Sequence, residues 1–177
     1  RNWPLPVGAP LRQSAWSAAK NETLARLRAN GYPSASWVDT EAAIDVAQAS
    51  ATLRATLASG PLFYLGELRI EGLRRYDESS VRNLAEHGSG TPHSEQGLLE
   101  FQERLVKAGL FEGVSVEIDP DPAHAAAARV NVRIRELPLQ QATVGVGYSD
   151  ATAQRVTFEH LHRRPFGFNA IVKNKLE

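Results

Sequence analysis

Histidines and short acidic runs are the residues of this chain whose types and spacing could do chemistry. His160 and His162 lie two apart in an alternating segment, so a strand would aim both at one metal ion. The nearby carboxylate, Glu159, falls on the other side of that strand, and Arg155, Arg163 and Arg164 crowd the pair with positive charge. That setting reads as polar side chains of a pore or an interface. Asp119 and Asp121 flank Pro120 and could approach a Ca²⁺, but the segment lacks the remaining oxygen ligands of a loop site. His87 and His93 flank a turn and read as solvated. Gly88-Ser89-Gly90 lacks the Lys and Ser/Thr of a phosphate loop, and no Ser/His/Asp nucleophile arrangement is legible. The chain has no Cys, which excludes thiolate metal sites, Cys nucleophiles and disulfides. The expectation is a protein that is not an enzyme and uses no metal or cofactor.

The elements that must position any other function follow from composition and pattern. Of 177 residues, 20 Lys+Arg balance 20 Asp+Glu and 42% are hydrophobic, a globular composition. Balanced charge argues against a nucleic-acid binder that relies on a basic face. No apolar run is long enough to cross a bilayer as a helix. The chain contains no Met and its start does not read as a signal peptide, so it is expected to be a piece of a longer protein.

A helix is predicted from Ser14 to Asn30, with Trp16, Ala19, Thr23, Leu24 and Leu27 at helical spacing and Gly31 as its stop. Strands follow at Ser34–Ile44 and Ser50–Ser59. Phe63–Gly72 alternates Leu68 and Ile70 with Glu67, Arg69 and Glu71, a half-buried strand. A short helix is predicted over Glu78–Glu86 behind the N-cap candidate Asp77, and a longer one over Ser94–Ala108, ended by Gly109. Two alternating strands close the unit, around Val114, Val116 and Ile118 and around Val130, Val132 and Ile134. The segment between them, from Asp119, reads as an exposed, mobile loop.

Residues 63–137 thus read β-α-α-β-β, and residues 1–62 hold the last three elements of the same order. Gly31 and Gly109, Leu27 and Leu105, and Val38 and Val116 recur 78 positions apart, with Leu53 and Val132 offset by 79. If the last strand of the complete unit is central, it runs parallel to the first and antiparallel to the second, with a right-handed crossover. The second strand is then a free edge. Its residues Glu112, Val114, Ser115, Val116, Glu117 and Ile118 are the candidate platform for an extended peptide that adds to the sheet. Trp37 and Val38 occupy the matching strand of the first unit. Trp37 has two readings, a peptide contact or packing against its own helix.

From Leu139 the pattern changes. Thr143–Tyr148 and Arg155–Leu161 alternate, turns fall at Ser149–Ala153 and Pro165–Asn169, and Ala170–Lys175 opens another strand. Alternating segments of about ten residues separated by turns are the signature of a transmembrane β-barrel, and equally of an ordinary β-meander.

In combination these residues resemble POTRA domains followed by the first barrel strands of BamA/TamA-type outer-membrane assembly proteins, with the TamA type the closer likeness. The resemblance rests on Gly31-Tyr32-Pro33-Ser34-Ala35, on Ser59-Gly60-Pro61-Leu62-Phe63 with Gly66–Leu73, on Ala108–Val114, and on Gly145–Asp150 with Phe166-Gly167. It implies an α+β chain of tandem β-α-α-β-β modules, each a three-stranded mixed sheet under two helices, running into antiparallel strands of a truncated barrel. The implied division is residues 1–62, a module lacking its first strand; 63–137, a complete module; and 138–177, the barrel start. It further implies modules in the periplasm of a Gram-negative bacterium and a barrel in the outer membrane. Implied partners are client outer-membrane or autotransported proteins and a periplasmic or inner-membrane assembly partner, with no nucleic acid. Open strand edges add an expectation of self-association. The alternative from another class is a KH-like RNA-binding domain, which shares the opening β-α-α-β-β. It requires a basic Gly-x-x-Gly loop where this chain has His87-Gly88-Ser89-Gly90-Thr91-Pro92.

Overall fold

In a computed structural model, which describes residues 3–147, 155–163 and 171–176, helix α1 spans Gln13–Ala29 and buries Trp16 and Ala19. Gly31 ends it at φ +101°, a left-handed value that a side chain would resist, and the Tyr32 N–H donates back to the Leu27 carbonyl at 3.1 Å. Strands β1 (Ser36–Asp45) and β2 (Ser50–Ala58) form an antiparallel hairpin. The Arg28 guanidinium fixes the approach to β1 by donating to the Ala35 carbonyl at 2.9 and 3.1 Å.

The second unit comprises β3 (Leu65–Glu71), α2 (Ser79–Arg82), α3 (Glu95–Lys107), β4 (Phe111–Ile118) and β5 (Ala128–Glu136). Ser94 caps α3 by accepting the Gly97 N–H at 3.3 Å. Its sheet has the order β3-β5-β4, with β5 parallel to β3 and antiparallel to β4, the arrangement that handedness predicts. The core forms between α3 and the inward side chains of β5. Phe101, Leu105, Val130 and Val132 are fully buried there, beside Val81 of α2.

Three expectations need correction. Helix α2 is a single turn and not nine residues: Leu84 and Ala85 donate three residues back, and Arg104 Nε takes the Leu84 carbonyl at 2.9 Å. The segment after Asp119 is ordered. Pro122–Ala127 form a 3₁₀ turn whose Ala125 packs on Phe63 and Ala128, and Tyr64 exchanges backbone bonds with Ala125 and Ala128 at 2.7 and 2.8 Å. The offset of Leu53 and Val132 also fails, because Val116 faces Val132 while Leu53 faces Ala42, far along β1 from Val38. The connection in the first hairpin is shorter, which slides β2 relative to the repeat.

The tail forms a third sheet, wholly antiparallel, of β6 (Gln140–Gly147), β7 (Arg155–His162) and β8 (Val172–Leu176), with β7 central. The turns read at Ser149–Ala153 and Pro165–Asn169, with Tyr148-Ser149-Asp150 and Phe166-Gly167, lie outside the described residues. Register places Val144, Phe158 and Leu176 in one row and Val146 beside Val156, so one face carries an exposed apolar band. The opposite face carries Thr157, Glu159 and Lys173, the last two paired at 3.4 Å. Among the described residues no helix is long and apolar enough to cross a membrane.

Because Phe101 fills the centre of the second unit's core, Phe101→Ala is expected to lower its stability by about 3–5 kcal/mol. Urea unfolding followed by circular dichroism measures this.

Candidate functional site

Strand β4 is an edge whose polarity follows from its pairing. The Asp119 N–H donates to Arg129 on the β5 side at 2.9 Å, so odd-numbered residues of this segment direct backbone groups toward β5. Val114, Val116 and Ile118 therefore turn their N–H and C=O groups outward. Their side chains pack against the core beneath α3, while Ser115 and Glu117 occupy the other face. That outer face is laced by Glu112–Arg135 and Glu117–Arg133 pairs at 3.0 and 3.4 Å. The outward Val116 N–H meets Gln102 Oε1 of α3 at 3.3 Å.

The opposite edge of the sheet is more closed. On β3, Arg82 of α2 donates to the Leu68 carbonyl at 3.3 Å, and Leu65 exchanges backbone bonds with Gly90 and Thr91 at 2.7 and 2.8 Å. Of the two edges, β4 is the one that offers a run of backbone groups.

The sequence candidates fall in two places. Glu112, Val114, Ser115, Val116, Glu117 and Ile118 lie together on β4. Trp37 and Val38 lie on β1, in a different sheet. Val38 is 67% exposed. Trp37 sits under its own helix, edge-on to Trp3 at 6.5 Å, in a cavity of about 430 Å³ shared with Trp16, Leu27, Leu53 and Leu57.

The other candidate chemistry resolves into structural roles. Asp121 accepts the Ala123 N–H at 2.9 Å and Asp119 accepts the Asp121 N–H at 3.1 Å, the work of a turn. His160 and His162 stack edge-to-face at 6.4 Å on the face of the apolar band. Among the described residues no group of three or more His, Asp or Glu gathers around a metal position. The loop His87–Pro92, where a KH-like domain would grip RNA, is bonded to β3, and His87 turns inward onto the Phe101 ring at 5.0 Å.

His87 and His93 are thus not solvated, contrary to the expectation from their turn. His93 is buried at the junction of the two units: its backbone N–H donates to the Phe63 carbonyl at 2.8 Å, and the Phe63 N–H donates to the Gly31 carbonyl at 2.9 Å. Burial holds its pKa below the ordinary value, outweighing the upward pull of the Glu95 charge and of the Arg28 backbone. Burial, with the Arg104 charge, does the same to His87.

Three polar anchors were not singled out from sequence. Gln102 is described above. Glu136 Oε1 accepts the N–H groups of Arg74, Arg75 and Tyr76 at 2.8, 2.9 and 3.2 Å. Burial raises its pKa, but these N–H bonds and the Arg75 charge together carry the net shift downward. Arg163, buried at the end of β7, donates to the carbonyls of Pro138 and Gly109 at 2.8 and 3.3 Å and to Gln141 Oε1 at 3.2 Å. It ties the tail sheet to the turn between α3 and β4.

Solved structures with this fold include BamA fragments and CdiB. The structure of BamA from Haemophilus ducreyi lacking POTRA domains 1–3 superposes with a TM-score of 0.74 at 17% identity, covering 97% of this chain and 32% of that one. Haemophilus influenzae BamA POTRA3–5 gives 0.55 at 25% identity, covering 75% and 52%. CdiB from Acinetobacter baumannii gives 0.52 at 13% identity, covering 93% and 30%. The chain therefore has the fold of POTRA modules leading into the strands of a BamA-like barrel. It spans about a third of the length of that BamA structure and about half of the POTRA fragment. No family model matches the sequence, and no curated protein matches it. The finer TamA-type likeness rests on the sequence residues alone.

A histidine whose folded pKa is lowered binds its proton more readily when unfolded. The stability its neutral form supports is complete above pH about 6.5 and is lost as pH falls below that value. Thermal unfolding is therefore expected to drop in midpoint between pH 7.5 and pH 5.5, and His93→Gln is expected to flatten that dependence.

Proposed function

We propose that this chain is the periplasmic, membrane-proximal part of an outer-membrane assembly or secretion protein, with its first barrel strands. In this reading residues 1–62 form a POTRA-like unit lacking its opening strand, 63–137 a complete module and 138–177 the start of the barrel. The outward edge of β4 takes an extended segment of a client outer-membrane or secreted protein as an added strand and guides it toward the barrel. No bond is made or broken.

The observation that carries the proposal is the open edge of β4 within a POTRA fold. Main-chain bonds supply affinity whatever the client's sequence, and pockets for alternate side chains tune selection. At about 1 kcal/mol net per hydrogen bond, three outward residues give weak, reversible capture, which suits passage of many clients. The apolar band of β6–β8 supports the membrane end of the reading. A barrel wall needs an apolar outer face and a polar inner one, and Val144, Val156, Phe158 and Leu176 oppose Thr157, Glu159 and Lys173 in that way. His160 and His162 then belong to the rim where the band ends. Trp37 and Val38 take no part in this edge, and self-association through strand edges is a separate property that sedimentation would measure.

Val114→Pro removes one outward N–H and leaves the ladder to β5. The expected outcome is a loss of about tenfold or more in affinity for a fluorescent barrel-strand peptide, read by anisotropy, with the unfolding midpoint little changed. Unchanged affinity in the folded variant would reject strand addition at β4.

A further inference from the structure

The edge of β4 is not bare. Gln102 lies beside the buried stripe of α3 formed by Leu98, Phe101 and Leu105, and its carboxamide oxygen reaches across to accept the Val116 N–H at 3.3 Å. Val116 is the middle of the three outward residues, so an added strand cannot complete its ladder while that bond stands. The residues three before and four after Gln102 on the same helix flank are Leu99 and Val106. Both are large, apolar and half open to solvent, at 48% and 53% exposure. A helix flank that borders a polar strand edge would ordinarily carry charge, as Glu103 and Lys107 do one step further round.

We infer that Gln102 is the gatekeeping residue of the β4 edge, a carboxamide plug that an incoming strand must displace, and that Leu99 and Val106 supply the apolar contact that displaces it. This inference rests on the strand-addition reading above. The plug gives the edge a partner when no client is bound, which blunts chance pairing of edges between molecules. It also sets a threshold for clients. A strand that brings apolar side chains onto Leu99 and Val106 recovers more than the Gln102–Val116 bond it breaks. A polar strand offering only its backbone does not. The preferred client is an extended segment of alternating apolar and polar residues, the pattern of barrel strands themselves.

The test uses the whole chain and a labelled peptide with the sequence of β7, Arg155–His162, beside a control in which Val156 and Phe158 are replaced by Ser. Gln102→Ala removes the plug and leaves the apolar pair. It is expected to bind both peptides about three- to tenfold more tightly and to keep the preference for the apolar one, because the edge no longer has to be cleared while Leu99 and Val106 remain. Gln102→Glu keeps an acceptor oxygen and is expected to bind no more tightly than the parent. In the absence of peptide, the Val116 amide is expected to exchange with solvent faster in Gln102→Ala than in the parent or in Gln102→Glu. Equal peptide affinity in Gln102→Ala and parent, with Val114→Pro still weakening binding, overturns the plug and leaves strand addition standing. Insensitivity to Val114→Pro as well overturns both.

Discussion

The architecture depends on the burial of one strand. β5 lies between β3 and β4 and sends Val130 and Val132 into the core, where α3 covers them with Phe101 and Leu105. A three-stranded sheet with one covered face has two edges by necessity. The β3 edge is occupied by the turn after α2 and by Arg82, since the chain must cross there from strand to helix. The β4 edge runs beneath the flank of α3 and is met there by one side chain, that of Gln102. Client capture, in this account, follows from how few strands the core needs.

Capture is useful only if its direction is fixed, and the joints fix it with polar groups rather than apolar ones. Between the units, the backbone bonds of Phe63 to Gly31 and of His93 to Phe63 are shut away with the His93 ring. Between the second unit and the tail sheet, Arg163 gathers carbonyls from Pro138 and Gly109. Gly109 lies two residues before β4, so the anchor of the tail and the start of the β4 edge share a turn. Glu136 holds the loop before α2 at the foot of β5. Hydrogen bonds with defined directions set angles in a way that apolar contact does not.

The sequence carried the second unit well because its strands alternate and its long helix stops at Gly109. Order, central strand and open edge all follow from Val114–Ile118, Val130–Ile134 and handedness. It carried less where tertiary contacts decide. The short α2 depends on Arg104 reaching Leu84, twenty residues away. The ordered 3₁₀ turn depends on Ala125 finding Phe63. His87 and His93 look like turn residues until the core closes over them. Gln102 is one polar residue beside a helical stripe, and no pattern in the sequence says that its amide meets β4. The equivalence of Leu53 and Val132 failed because apolar alternation is degenerate by two residues, and the tighter first hairpin resolves it differently.

The chain's lack of Cys makes the central claim directly measurable, since any single introduced thiol is unique. Cysteines placed one at a time along β4, at Ser115 and Glu117, and along β3, at Arg69 and Glu71, can be oxidised against a client strand carrying its own single cysteine. The account predicts disulfide formation from the β4 positions that moves with the client cysteine in steps of two residues, and little from β3. Crosslinking that favours β3, or that shows no two-residue period at β4, would contradict it.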